Sequence, residues 1–548
     1  MMKRFVWVLP TAAAIAALAC AAPTPGSSSG QTGSSQPRNG GVLNVRVPDD
    51  PGGWDLSLFK AYPAWEGHTL AENSLVGYQS GPDIEWSKQT MRPELAEKWE
   101  VSPDGKAFTF HLRNGVKYQD IAPVNGRELT SADVKWAYEY ASRTGQFKDK
   151  KLPTGQYEWM FEGLQSVETP DPYTAVVRFQ EPFVPFLAYA GSDSTPITPH
   201  EIFDQKGNLM DVVIGTGPFQ LDPTASQPGS RWNWKKNPNF WDAGKPYLDG
   251  MNWLVIKDDA SSYAAFKTKQ IDYLGNAGIP IPPADLEDLK KAVPNLGFSQ
   301  HPNDTSWHLY LNVRSGKPLN DLRMRKAINL ALDRDEFIKV LQGSPGRWPF
   351  ASALPDTFSP EEVKALLPYD PDQARRLVVE AGNPNGIEME MIFPGNDYGQ
   401  SYVTGIQLFQ AQMKKVGINI NLKSVSKDDY STRKKVADYT IVAQDSSSLE
   451  GDLDSLLFAG FHSKSKKAYP GAADPKLDQM LEAQRKEVDS AKRQQIIRDI
   501  VKYIHVDQVY DIGAYYRVQA EVWQPYVKGL SSNVQTRGIY PAGAWLDK

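Results

Sequence analysis

Few side chains in this sequence are spaced to make or break bonds. The histidines are His68, His111, His200, His301, His308, His462 and His505. None of them falls in the His-Glu-x-x-His spacing that sets two imidazoles on one helix face around a zinc ion. With Cys20 as the single cysteine, neither a Cys–His zinc set nor an internal disulfide can form. No Gly-Lys-Ser/Thr loop is present to wrap the phosphates of a nucleotide. One hydrolase-like string does occur, Gly26-Ser27-Ser28-Ser29-Gly30. A nucleophile elbow needs a strand before it and a helix after it, and this string lies in a low-complexity stretch. The chemistry on offer is recognition rather than catalysis, and neither a cofactor nor a metal is expected.

Cys20 carries a different kind of chemistry. Lys3 and Arg4 precede a run from Phe5 to Ala19 that is apolar except for Pro10 and Thr11. That run is shorter than the roughly 20 apolar residues of a permanent membrane helix, and it has the flanks of a secretory signal peptide over residues 1–19. Ala17-Leu18-Ala19-Cys20 resembles a bacterial lipobox, although Ala17 and Leu18 stand where a Leu and a small residue are usual. The resemblance implies that Cys20 becomes the N-terminus and bears a lipid; an ordinary cleaved signal is the simpler alternative. Residues 20–39 are then a flexible tether, because Ala, Pro, Thr, Gly, Ser and Gln cannot bury a core. The expected location is outside the cytoplasm, in the periplasm or on the cell surface, anchored to the membrane through Cys20.

The elements that must position any binding residues follow from periodicity. Leu43, Val45 and Val47 alternate, as do Phe108, Phe110 and Leu112, and again Ile387, Met389, Met391 and Phe393. Each series predicts a strand. Thr130 is placed to cap a helix whose stripe is Val134, Ala137, Tyr138 and Ala141. Asp370 and Pro371 open a second helix, with Ala374, Leu377, Val378 and Ala381 inward and Gly382 closing it. Ile406, Phe409, Met413 and Val416 mark a third, which stops at Gly417 before strand-like Ile418 and Ile420. The last helical region runs from about Leu477 to Ile504, and 510–523 reads as strand. Helix and strand in alternation argue an α/β or mixed body. At 548 residues the chain exceeds what one core supports, about 250–300 residues. Its net charge of −5 leaves no electrostatic footprint for nucleic acid. The 15 Trp and 24 Tyr serve equally a rich core or a ring-lined cavity.

Several stretches together resemble the extracellular solute-binding proteins of family 5, the peptide and nickel group of ABC importers. They are Pro93–Trp99 with Ser102-Pro103-Asp104-Gly105 and Phe108–Lys117, then Leu129–Val134, and Gly215-Thr216-Gly217-Pro218-Phe219. Asn237–Trp241, Gly244–Asp249, Ala265–Lys267, Gln270–Asp272, Asn312-Val313, Leu322–Ile328 and Ala331–Arg334 follow in the family's order. Read for themselves, these residues are turns, caps and core, so they identify a fold rather than a ligand site. The resemblance implies an α/β, two-lobed periplasmic-binding-protein fold (type II, cluster C-like) with an extra α+β domain and a hinged ligand cleft. Lobe I would be 40–73 plus 192–300 plus 505–548, the extra domain 74–191, and lobe II 301–504. The implied partners are a peptide-like ligand and an ABC permease in the membrane, the protein acting as a monomer. The family also takes oligosaccharides, opines and metal chelates, which form the alternative.

In peptide-binding members of the family a carboxylate of the second lobe holds the ligand's ammonium group, since a buried charge must be paired. The corresponding segment follows Ala437-Asp438-Tyr439. Here it lacks the usual Trp and offers Asp445, Glu450, Asp452 and Asp454, of which Asp445 and Asp452 are the chosen candidates. A solvated acidic loop is the competing reading. Trp54, after the first strand, and Asn396, Asp397 and Tyr398, after a second-lobe strand, are further candidates, because such loops gather ligand contacts. Trp307, Tyr310 and Trp523 read as structural.

Overall fold

The structure, a computed structural model, describes residues 36–58, 62–79, 84, 90–275, 281–314, 316, 318–341, 348–349, 358–395, 400–446, 451–465, 473–530 and 541–548. The alternation at Leu43, Val45 and Val47 builds the strand Val42–Val47, with all three side chains buried. Gly250–Val255 and Tyr273–Leu274 lie parallel on its two sides. Arg231–Lys236 and Phe219–Leu221 extend this half-sheet antiparallel. A second half-sheet holds Ile441–Ser446, Ile387–Phe393 and Ile418–Ser424, all parallel.

Two long strands, Gly297–Leu311 and Asp511–Trp523, join the halves and pair antiparallel with each other. At one end Trp523 and Val522 pair with Tyr273 and Leu274; at the other Ser306–Leu311 pair with Ile441–Ser446. One ten-stranded sheet results, and among the described residues only these two strands carry it between the halves. The register slips between Pro302 and Ser306 and again between Trp307 and His308. Proline cannot donate to the ladder, and an unpaired stretch of this kind bends the strands that carry it.

A separate four-stranded antiparallel sheet runs in the order Ala96–Val101, Ala107–Leu112, Thr174–Phe179, Leu164–Asp171. Phe108, Phe110 and Leu112 enter its core together with Val134, Ala137 and Tyr138 of helix Ser131–Ser142. Thr130 and Asp133 close a capping box at that helix's start, and Arg127 clasps Asp133 at 2.6 and 2.9 Å.

The second half-sheet is covered by helices read correctly from their stripes. Ala374 and Val378 of Pro371–Glu380 and Ile406, Phe409 and Met413 of Gln400–Lys414 share one core with Trp307, Leu309 and Leu311. Asp370 caps the first of these helices at 2.8 Å from the Gln373 amide, and Gly382 follows it at φ +89°. The last helical region is two helices, Pro475–Lys486 and Ser490–Lys502. Asp489 starts the second by accepting from the amides of Ala491 and Lys492, both at 3.0 Å, which forces a break just before it.

The turn Gly215–Phe219 is a packing device. A Cβ on Gly217 would lie 2.5 Å from the Ala71 carbonyl carbon and the Leu70 oxygen, so only glycine lets the turn touch the end of helix Tyr62–Ala71. The Gly217 amide donates to Ala71 O at 2.8 Å, and Gln119 Nε2 bridges Ala71 O and Phe219 O at 3.2 and 2.8 Å.

Candidate functional site

In open α/β sheets, ligands gather beyond the carboxyl ends of the strands. Those ends carry the candidate residues. Val42–Val47 leads to Trp54, Ile387–Phe393 leads to 396–398, and Ile441–Ser446 contains Asp445 and leads to 447–454. Asn396, Asp397, Tyr398 and Glu450 lie outside the described residues, as does Cys20. Asp445 pairs through its backbone with Trp307, and its side chain is likewise outside the description.

Trp54 is 4% exposed and sits edge-on to Trp232, Trp234 and His68, with ring centroids 5.9, 5.8 and 6.3 Å away. The cavity it lines with His68, Glu72, Tyr140 and Thr198 measures about 40 Å³. That is room for water, not for a peptide. Behind it His68 is clamped between two acceptors, the Glu72 carboxylate at Nδ1 and the Trp54 carbonyl at Nε2 (2.5 Å). Both ring nitrogens therefore donate, and although burial opposes charge, Glu72 and the carbonyl hold the His68 pKa above its usual value.

The two acids of this segment whose side chains are described, Asp452 and Asp454, are both engaged. Both oxygens of Asp452 accept from Arg493, at 2.6 and 2.7 Å. Asp454, fully buried, takes Arg485 at 2.7 and 2.8 Å, Gln484, and the Tyr189 hydroxyl at 2.7 Å. Arg485 also reaches Glu162 at 2.5 Å, and its carbonyl accepts from the Val184 amide at 2.9 Å. Residues 162, 184 and 189 belong with the four-stranded sheet's core or its margin, so Asp454 and Arg485 pin that body to the helix-covered one. Fork-on-carboxylate pairs of this kind satisfy both partners. In this conformation Asp452 holds helix Ser490–Lys502 in place and offers no carboxylate for a ligand.

A different pair of carboxylates, missed from the sequence, stands at the inner end of the first half-sheet. Glu66, on helix Tyr62–Ala71, is 7% exposed and its Oε1 accepts no hydrogen bond. Burial, then the like charge of Glu521, push its pKa well above the carboxylate range. Glu521 lies on the crossing strand Asp511–Trp523, one residue before the Val522–Leu274 pairing, and is 3% exposed. Tyr273 is fully buried beside them, and burial, then the charges of Glu521 and Glu66 and a hydrogen bond to Glu521, raise its pKa. Gly275 makes the closeness possible, since a Cβ there would stand 2.8 Å from Glu521 Cβ and 2.9 Å from its Cα. The sequence signal was a Glu in a helix without Lys or Arg three or four residues away, and a Glu inside an apolar strand.

The other buried titratable cluster packs under the second half-sheet. His308 Nδ1 meets Asp511 at 2.7 Å, His505 Nδ1 lies 3.1 Å from the Asp511 carbonyl, and buried Arg334 donates to Gly513 O at 2.9 Å. Burial holds the His505 pKa down at about 4, so it stays neutral. Among the described residues no group of three or more His, Cys, Asp or Glu is placed to hold a metal ion. Nor is any described helix long and apolar enough to cross a membrane.

Comparison with known proteins agrees with this geometry. The chain is 27% identical over 474 residues to the dipeptide-binding protein of Escherichia coli, covering 83% of this chain and 85% of that one. The structure of DppA from Helicobacter pylori in complex with the peptide STSA superposes with a TM-score of 0.75 at 22% identity, over 93% of this chain and 99% of that one. That of NikA from Brucella suis in complex with Fe(III)-EDTA gives 0.75 at 22% identity, over 92% and 100%. These share the two-lobed fold, and they show that the fold alone does not select the ligand. The family of bacterial extracellular solute-binding proteins, family 5, matches residues 90–468. That span is well over half of the chain: this protein belongs to family 5 of the bacterial extracellular solute-binding proteins.

Proposed function

We propose that this protein captures a peptide outside the cytoplasm, between its two lobes, and delivers it to an ABC permease in the membrane. The observation that carries the reading is the likeness to a dipeptide-binding protein over most of both chains. The sheet supplies the mechanism. Among the described residues, pairing passes from the first half-sheet to the second only through Gly297–Leu311 and Asp511–Trp523, so a bend where the register slips moves one lobe against the other. Lobe I is proposed as 40–73 plus 192–300 plus the C-terminal segment, the extra domain as 74–191, and lobe II as 301–504 extended toward 515. The extension follows from Ile512, Ala514 and Tyr515, which pack in the second lobe's core. The permease must bind the closed, loaded form more tightly than the open one, since a partner with equal affinity for both shifts nothing.

Within this reading Asn396, Asp397, Tyr398 and Asp445 are the proposed second-lobe contacts, and Trp54 and Asp452 shape the walls behind the cleft. Residues 1–19 are the export signal, Cys20 bears the lipid, 20–39 tether the lobes to the membrane, and the protein works as a monomer. Native mass spectrometry of the purified chain, followed by melting with whatever co-purifies, tests the function. Bound peptide that raises the melting temperature with the logarithm of its concentration supports it. A chain stabilised by sugars, opines or chelates and by no peptide overturns the substrate.

A further inference from the structure

The four-stranded body meets both lobes, and the two meetings differ in kind. Toward the first lobe it shares a core: Trp65, Ile202 and Ile214 pack in one cluster with Phe108, Phe110 and Tyr138. Asn73, 5% exposed, stitches the same joint. Its amide nitrogen donates to Glu94 at 2.6 Å, and its oxygen accepts from Thr216 Oγ1 at 3.0 Å and Trp241 Nε1 at 3.1 Å. Separation there would split a core and orphan buried polar groups, so the body moves with the first lobe. Toward the second lobe the contact is polar. Among the described residues that lobe's core holds none of residues 74–191. The Tyr189 hydroxyl donates to Asp454 at 2.7 Å, Arg485 donates to Glu162 at 2.5 Å, and the Val184 amide donates to the Arg485 carbonyl at 2.9 Å. Asp454 and Arg485 both belong to the second lobe and hold each other at 2.7 and 2.8 Å, with Gln484 as a further donor to Asp454. When Tyr189 and Glu162 withdraw, that pair therefore stays intact. What is released is one hydroxyl, one amide and a carboxylate already 56% exposed, and water satisfies all three.

We infer that the contact of Tyr189, Glu162 and Val184 with Asp454 and Arg485 is a latch that biases the two lobes toward the closed, ligand-holding form. The inference rests on the solute-capture reading and adds what sets the closed population. The first lobe reaches the second through the crossing strands and, by way of the body fused to it, through this contact. With both joints made, the bend between Pro302 and Ser306 is locked, and opening the cleft requires the latch to release. Ligand and latch favour the same form, so each stabilises the other. Apparent affinity falls with the fraction of empty chain that is closed, and the latch raises that fraction.

The test is hydrogen exchange resolved to single amides. Val184 reads the latch, and Phe183 is the control, because its amide donates to Gly105 O at 3.1 Å inside its own body. The wild-type chain is compared with the variant carrying Glu162→Gln and Tyr189→Phe, each alone and with Ala-Ala-Ala. In the empty variant Val184 should exchange faster while Phe183 does not change, and the radius of gyration should rise. Affinity for Ala-Ala-Ala, by calorimetry, is expected to fall about two- to tenfold. In the wild type the peptide should slow Val184. Failure of Ala-Ala-Ala to bind either chain counts against the peptide reading alone, since exchange and radius of the empty chains still decide the latch. Val184 exchange and a radius that the two substitutions leave unchanged overturn it. So does faster exchange with a lower melting temperature but the same radius, which marks a fixed joint. Tyr189→Phe alone, the loss of one hydroxyl, is read in the same way should the double variant fold poorly.

Discussion

Two acidic regions of this molecule have opposite surroundings. Asp452 and Asp454 stand where ligand carboxylates were expected, and each meets an arginine in a two-pronged pair. Glu66 and Glu521 stand in a helix and a strand that show no motif, and Glu66 has no donor at all on Oε1. The difference is one of completeness. A buried carboxylate with its guanidinium is a finished structural joint. Glu66 is the other case: burial pushes its pKa up toward the neutral form, and a neutral carboxyl needs no guanidinium.

Breaking the finished joint has the largest effect. Asp454→Ala leaves Arg485, at 7% side-chain exposure, with only the more exposed Glu162 as counter-charge, and is expected to cost about 3 kcal/mol in urea unfolding. It also removes the acceptor of Tyr189, loosening the four-stranded body from the second lobe. Asp452→Ala costs less, about 1–3 kcal/mol by the same measurement, because Arg493 keeps the Gln484 carbonyl at 3.0 Å and its side-chain oxygen at 2.9 Å. Gly275→Ala drives a Cβ into Glu521 and is expected to lower stability by about 1–3 kcal/mol, read in urea unfolding. The smallest effect is Glu66→Gln, which at neutral pH leaves the unfolding midpoint unchanged or raised.

The same pair separates by pH. The Glu66 pKa is raised on folding, so its contribution is fully present below the unfolded value near 4.5 and is lost as pH rises toward the folded value. His68 is raised too, and its contribution is lost as pH rises from about 6.5 through its folded value. Wild-type stability should therefore decline with rising pH on both accounts. In Glu66→Gln the earlier decline disappears and the later one remains, as equilibrium unfolding across the pH range would show.

The sequence made the local elements legible and the convergent ones illegible. Leu43, Val45 and Val47, the Thr130 cap and the stripe from Ile406 to Met413 lie within one element each, and each behaves as its periodicity dictates. The break at Asp489 was hidden inside a continuous helical pattern. The fifteen-residue strand Gly297–Leu311 was hidden by Pro302, which argues against a strand and here marks the register slip instead. Asp452 and Asp454 read as free acids because their partners, Arg493 and Arg485, come from helices some thirty to forty residues downstream. Glu66, Tyr273 and Glu521 come from three distant segments, and only the fold brings them together.

The most direct measurement of the central claim is whether the two lobes close on a peptide. Small-angle X-ray scattering of the purified protein, with and without a peptide that raises its melting temperature, reads that motion. The account predicts a smaller radius of gyration with the peptide bound. A radius unchanged at saturating peptide would contradict it.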